Sequence, residues 1–357
     1  MKIQSLFLPL VLTLAVTTPA KAQEPVGVRE ISVSSKARGE DLTVLVWYPA
    51  KSGGEAVLIG DDRIFEGTPA LADAARAEGM YPLIVLSHGS GASVEKMAWI
   101  ASELAGEGFI VAGANHPGTT SGDSTPEDTP KLWQRTDDLA TVIDELLADP
   151  DWSASIDRGN IGALGFSLGG AAVLESVGAT ARLEAYVDYC DTNPQMPDCQ
   201  WFMGGRAFVD REEIKVEPLD LRTVDKALFE QKSHDARIKS VIAVDPALAA
   251  AFQEQSFAGV GVPLHFLNLG VAGQIDVGVR SAHLAAAAPD ADLDHIEDAV
   301  HFSFLPVCKE DAIAFMKSIG ETDSLCTDGG GRSRAELHDQ MAKMIVEAFR
   351  ADLKAAN

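Results

Sequence analysis

The sequence predicts a doubly wound α/β domain on a mostly parallel sheet, and two features of its patterning carry that prediction. YPLIVLSHG (residues 81–89) and GFIVAGANHPG (residues 108–118) contain continuous apolar runs that enter glycine-containing turns. Such runs lack the alternation of a half-exposed strand and suit strands covered on both faces, as in parallel sheets. The segments between these runs place apolar residues at helical spacing, so buried strand, turn and helix alternate along the chain.

Taken in order, VGVREISVSS and EDLTVLVWYPA alternate apolar and polar residues and predict two half-buried strands. After the strand in YPLIVLSHG, Met97, Ile100, Ala101 and Leu104 mark a helix that Gly106 and Gly108 stop. The strand in GFIVAGANHPG follows, then a helix through Leu139, Val142, Ile143 and Leu146, closed by Pro150. NIGALGF predicts a further strand and LGGAAVLESVG a helix. The rhythm resumes at IKSVIAVDPA and VPLHFLNLG. It ends in a helix from Ser333, where Ser333 and Glu336 form a capping box ahead of Leu337, Met341, Met344 and Ile345. Residues 183–236 break the rhythm with Cys190, Cys199, Pro194, Pro197, Trp201, Phe202 and a charged run, and predict a cap or lid over the sheet rather than a second domain.

Composition narrows the function. Lys2, the apolar run at residues 6–16 and Ala20-Lys21-Ala22 together read as a signal peptide over residues 1–22, cleaved after Ala22, which places residues 23–357 in the periplasm or outside the cell. The apolar run is too short to span a bilayer, so no stable membrane anchor is expected after cleavage. A formal net charge of −24 repels phosphate backbones and anionic headgroups, which argues against nucleic-acid partners. All four cysteines follow the leader, and an even number in an oxidising compartment predicts two disulfides. Three pairings are possible, and local pairing, Cys190 with Cys199 and Cys308 with Cys326, is favoured because each closes an irregular loop. No cysteine or histidine cluster has metal-ligand spacing, and no cofactor is implied.

The chemistry centres on IGALGFSLGG. Gly165-Phe166-Ser167-Leu168-Gly169 fits the Gly-x-Ser-x-Gly elbow, a sharp strand-to-helix turn that lifts the serine hydroxyl above a sheet. The helix that follows presents the amide of Leu168 to a developing oxyanion. A side chain at Gly165 or Gly169 would crowd the turn. SHGSG, at the end of an earlier buried strand, lies where a second oxyanion amide is supplied, which position assigns to Ser90.

A weak serine nucleophile needs a base and an orienting acid. Of the eight histidines, His265 falls inside a strand and His338 on a helix. His283 and His295 precede or begin an edge segment. His301 opens an aromatic stretch in DAVHFSFLPVC and suits a loop over the site, so it is the preferred base, with His295 second. Asp245 stands at the tip of SVIAVDPA, where Pro246 ends the strand. Asp276 lies six residues past Gly270 in GVAGQID. A strand tip holds an acid more rigidly, which favours Asp245. Trp201, Phe202 and Phe208 either line an acyl pocket or form the insertion's own core. Trp133 and Arg135 either contact substrate or cap the helix they precede.

YPLIVLSHGSGAS, GFIVAGANHPGTTSGD, WQRTDDLATVIDELL, GFSLGG, IAVDPAL and HFSF resemble the serine hydrolases related to platelet-activating factor acetylhydrolase, including bacterial proteins described as predicted dienelactone hydrolases. The resemblance runs from VGVREISV to HFSFLPVC. It implies an α/β-hydrolase fold, a triad of Ser167, Asp245 and His301, and oxyanion amides at Ser90 and Leu168. Dienelactone enzymes carry a cysteine in the elbow, so Ser167 points away from that substrate. The insertion with Cys190 and Cys199 sets the chain with a bacterial subgroup, so phospholipid specificity does not follow.

The expectation is therefore a single α/β-hydrolase domain with a cap, cleaving small carboxylic esters of short-chain or lipid-like acyl groups through an acyl-enzyme. A peptidase or amidase would use the same triad. A non-catalytic binding protein on this fold would usually lack the serine or the histidine, and both are present.

Overall fold

The computed structural model describes residues 25–321 and 323–353; the expected leader, residues 1–22, lies outside them. Ten strands form the main sheet: β1 (Val26–Ser35), β2 (Glu40–Pro49), β3 (Glu55–Ile59), β4 (Thr68–Ala72), β5 (Tyr81–Ser87), β6 (Ile110–Ala114), β7 (Ile156–Phe166), β8 (Ile238–Val244), β9 (Leu264–Leu269) and β10 (Ala291–Ile296). Across the sheet they run β10-β9-β8-β7-β5-β6-β2-β1-β4-β3. From β10 to β6 every pair is parallel. The wing beyond β6 is mostly antiparallel, through β2–β6, β1–β2 and β3–β4.

The sequence predicts both the alternating strands of this wing and the apolar strands at its centre. It does not announce β3 and β4, because each is only five residues long and mostly half-exposed or exposed, too short for a periodic signal.

The main helices are α1 (Ala98–Gly106), α2 (Leu132–Ala148), α3 (Leu168–Glu175), α4 (Leu183–Thr192), α5 (Pro197–Phe202) and α6 (Arg334–Asp352). They cover both faces of the sheet. On one face, Leu139, Val142, Ile143 and Leu146 of α2 and Ala171 to Leu174 of α3 join Val85, Ile161 and Ala163. On the other, Ile100 and Leu104 of α1 and Leu337, Met341, Ile345 and Phe349 of α6 join Ile84, Leu86 and Leu164. Burying each such side chain stabilises the fold by about 1.5–3 kcal/mol. The predicted capping box starts α6: Ser333 N donates to Glu336 Oε2 at 2.8 Å, and Glu336 N donates to Ser333 Oγ at 3.3 Å.

Chain order decides where a ligand can enter. The strand after β5 pairs on one side of it and β7 on the other, so the winding reverses between β5 and β7. In such sheets the crevice lies at the carboxyl ends of those strands. Ser87 ends β5 and Phe166 ends β7, which brings SHGSG and the serine elbow to that crevice.

Residues 183–236 contain α4, α5, a short hairpin (Ala207–Val209 with Glu212–Ile214) and two single turns. This segment packs on the α2 face, with Tyr186, Phe202, Leu221 and Phe229 in the same core as Leu132 and Leu139. Its hairpin also pairs with the loop after β6, through Phe208 and Ser124. Cys190 bonds Cys199 within the segment, and Cys308 bonds Cys326 in the stretch before α6. Among the described residues, no helix is long and apolar enough to cross a membrane.

Candidate active site

Ser167 sits between β7 and α3 with φ 55° and ψ −121°, a conformation that costs an L-residue about 1–3 kcal/mol and persists only where the surroundings enforce it. They do so here. Ser167 N donates to Val244 O at 3.0 Å, and Ala247 N donates to Ser167 O at 2.9 Å. A Cβ on Gly165 would lie 2.1 Å from Gly169 O, and one on Gly169 would lie 1.9 Å from Ser87 O. The elbow therefore needs both glycines, and the second presses it against the end of β5.

Asp245 follows β8 and is buried. Its Oδ1 accepts from Leu269 N and Asn268 Nδ2, both at 2.9 Å, and its Oδ2 lies 3.0 Å from His301 Nδ1. Asn268 is itself fixed by Val279 O and Ser281. It stands next to last in β9 and orients Asp245 from the neighbouring strand. Asp276 is exposed in the loop beyond β9 and takes no part in this chain of bonds. His295 lies within the edge strand β10.

His301 opens a short helical turn, His301–Phe304. Its Nε2 lies 3.2 Å from Ser167 Oγ, which completes a hydrogen-bond chain from carboxylate through imidazole to hydroxyl. With Asp245 ionised, Nδ1 carries the proton and Nε2 is free to accept one. The turn is held from below. Trp99 Nε1 donates to Phe304 O at 2.9 Å, His338 Nε2 donates to Ser303 O at 3.0 Å, and Ser303 Oγ donates to Asp328 Oδ1 at 2.6 Å. Burial holds the His338 imidazole down, to a pKa of about 4, and its ring stacks on Trp99 at 3.8 Å.

Ser90 lies in a tight turn closed by Ala92 N donating to Gly89 O at 3.2 Å, with Gly91 at φ 67°. The Ser90 amide meets no acceptor among the described residues. A Cβ on Gly89 would lie 3.3 Å from Ser167 Cβ, so turn and elbow touch. Leu168 opens α3, and the first amides of a helix have no partner inside it.

A second group of residues, which sequence reasoning missed, lies beneath this turn. Arg38 grips Asp138 with two bonds of 2.9 and 2.6 Å. Asp138 Oδ2 is 2.8 Å from His116 Nδ1, and His116 Nε2 is 2.9 Å from Ser87 Oγ. Arg135 Nη1 donates to His88 O at 2.6 Å, and Arg135 Nη2 donates to Thr119 Oγ1 at 2.9 Å. Ser87, His88, His116, Arg135 and Asp138 are all buried. Burial, aided by the Arg135 charge, holds both imidazoles well below their ordinary range, so both are neutral. Burial also raises the Asp138 carboxyl, against the pull of Arg38, and pushes Arg135 down to about 9.

Arg135 thus neither caps its helix nor reaches outward, but points into the core. The available signal was its placement: Arg135 and Asp138 share the α2 face that carries Leu139, Val142 and Leu146. Charges on an apolar stripe mark a buried polar cluster.

The insertion's aromatics Trp201 and Phe202 pack with the core on the α2 face of the sheet. Phe202 is buried edge-on to Tyr186 at 5.7 Å. Trp201 is half-buried and donates to Thr129 Oγ1 at 2.9 Å. Phe208 lies beneath the Arg206 guanidinium. Trp133 packs against the α2-side core. Among the described residues, no group of three or more His, Cys, Asp or Glu side chains is arranged to hold a metal ion.

Comparison with known proteins adds three findings. Residues 84–313 match the family model described as alpha/beta hydrolase family. Over 111 residues the chain is 28% identical to a bis(hydroxyethyl) terephthalate hydrolase of Streptomyces coelicolor; the match covers 31% of this chain and 33% of that protein, so the chain spans about a third of that relative's length. A ferulic acid esterase from Streptomyces cinnamoneus has the same fold, with a TM-score of 0.63, 18% identity, and 95% and 93% of the two chains covered.

Proposed function

The chain belongs to the alpha/beta hydrolase family, and from that premise we propose that it is a carboxylic ester hydrolase using Ser167 as nucleophile, His301 as base and Asp245 as orienting acid. The observation that carries this reading is the continuous chain from Asp245 Oδ2 to His301 to Ser167 Oγ, at 3.0 and 3.2 Å, ending on a serine in a strained elbow.

In the first half-reaction, His301 Nε2 takes the Ser167 proton as Oγ bonds to the ester carbonyl carbon. Asp245 stabilises the imidazolium that forms. The Ser90 and Leu168 amides donate to the tetrahedral oxyanion. One such donor is worth about 10²–10³ in kcat. Collapse breaks the bond to the alcohol, which leaves with the proton from His301. Water then attacks the acyl-enzyme with the same proton transfers, releasing the acid and restoring Ser167.

The substrates in this reading are small carboxylic esters with short-chain or lipid-like acyl groups, as the resemblance to acetylhydrolases suggests. Bis(hydroxyethyl) terephthalate, named in the relative, belongs in the test panel. The enzyme works in the periplasm or outside the cell after loss of residues 1–22, with 183–236 as its cap; the two disulfides accord with an oxidising compartment. The test is hydrolysis of p-nitrophenyl esters of increasing chain length, alongside the terephthalate ester, a short-chain phospholipid and a matched amide. Turnover of the amide but of none of the esters would overturn the assignment.

A further inference from the structure

The turn that carries Ser90 is gripped from its buried side by groups the reaction itself does not use. His88 O accepts from Arg135 Nη1 at 2.6 Å. Gly89 O accepts from Ala92 N at 3.2 Å and from the His88 ring, whose Nδ1 is 2.7 Å away. For Nδ1 to donate, Nε2 must accept, and it does so from His116 N at 3.2 Å. A trans peptide plane carries its carbonyl and its N–H on opposite sides. With Gly89 O bound inside the turn, the Ser90 N–H is turned outward, away from those partners. It meets no protein acceptor among the described residues, while Gly89 packs on the elbow of Ser167.

Arg135 gives an independent reason to read this as a device. A buried cation costs several kcal/mol unless it is well partnered. The hydrogen bonds of Asp138, the nearby carboxylate, go to Arg38 and His116 instead. Arg135 gives its own to Thr119 Oγ1, Ser87 Oγ and His88 O, all on or beside the turn. An apolar side chain would fill the same space more cheaply, but it would leave His88 O without its donor.

We propose that Arg135 and His88, backed by His116 and Asp138, are positioning residues that aim the Ser90 amide at the oxyanion. This rests on Ser167 being the nucleophile.

The test compares His88→Leu, Arg135→Gln and Thr119→Val with the full-length protein. Active sites are counted by the end point of fluorophosphonate labelling, so unfolded protein does not enter the rate. For each variant, kcat per labelled site and KM are measured with p-nitrophenyl acetate, together with the affinity for a trifluoromethyl ketone, which binds as an oxyanion. His88→Leu and Arg135→Gln should lose about 30- to 300-fold in kcat and a similar factor in ketone affinity, with KM within about threefold. Thr119→Val, which removes one anchor of Arg135 and a 3.3 Å bond to His116 O, should lose about three- to tenfold in both, and it decides the matter if the other two do not fold. His88→Asn, whose amide can still donate to a carbonyl, should recover part of the loss. Unchanged kcat per labelled site and unchanged ketone affinity, with only a lower melting temperature, would overturn the proposal. Failure of the underlying reading is distinct, because it shows in the parent protein as no labelling at Ser167.

Discussion

The molecule contains the same arrangement twice. Asp245–His301–Ser167 and Asp138–His116–Ser87 each run carboxylate, imidazole, hydroxyl, with links of 3.0 and 3.2 Å in the first and 2.8 and 2.9 Å in the second. By distance alone the second is the better-formed triad. What separates them is surroundings. The His301 side chain is 29% exposed beside the crevice, and Ser167 projects from a strained elbow. His116 and Ser87 are sealed in the core, where Ser87 also accepts from Arg135. A hydroxyl that no ester can reach, and whose lone pair is held by a guanidinium, orders its neighbours rather than attacking. Access and backbone strain, more than hydrogen-bond length, separate the proposed nucleophile from the buried serine.

Substitutions can break this contrast at several levels. The largest expected effect is at the serines: Ser167→Ala should lower kcat for p-nitrophenyl acetate by roughly 10⁶-fold, whereas Ser87→Ala should cost no more than about tenfold. Equal losses would erase the distinction. Next are the two candidate acids, of which Asp245 alone faces the outer histidine. Asp245→Asn should lower kcat by about 10⁴ by leaving His301 in the wrong tautomer, while Asp276→Asn stays within about twofold. The reverse result would move the orienting acid to the β9 loop.

The carboxylate of the inner group should also reveal itself in stability. Asp138→Asn leaves Arg38 and Arg135 without their buried counter-charge and should lower unfolding free energy in urea by about 3–5 kcal/mol. Asp298→Asn removes a more exposed ion pair with Arg332 and should shift the unfolding curve far less. Comparable losses would mean that the inner carboxylate is not a structural keystone.

A smaller effect concerns pH. His338, beneath the His301 turn, has its pKa lowered from 6.5 to about 4 by burial. Its folded form binds fewer protons than the unfolded chain, so its contribution is present above pH 6.5 and is lost as pH falls toward 4. His338→Phe should therefore flatten the acid-side fall of the melting temperature relative to the parent by the equivalent of about 1–3 kcal/mol. Parallel curves would contradict this.

Much of the outer site was legible in the sequence because each part lies at the end of a recognisable strand. Ser167 follows NIGALGF, Asp245 ends SVIAVDPA, and the turn of His301 follows the last strands; the structure brings these three together. The fold was legible for the same reason, since strands buried on both faces leave unbroken apolar runs. The inner group was not, because it joins β2's flanking turn at Arg38, the ends of β5 and β6, and one face of α2. No local pattern says that these elements meet. Arg135 and Asp138 on the apolar stripe of α2 held the signal, but a charge there is ambiguous until its partners are known. Asn268 was visible only as the residue at a strand exit, and its grip on Asp245 depends on the register of β9 beside β8.

One measurement reaches the central contrast directly. The purified protein, treated with a fluorophosphonate and digested, should show a single serine adduct by peptide mass spectrometry, on Ser167, with the peptide carrying Ser87 unmodified. An adduct on Ser87, or none on Ser167, would contradict the account.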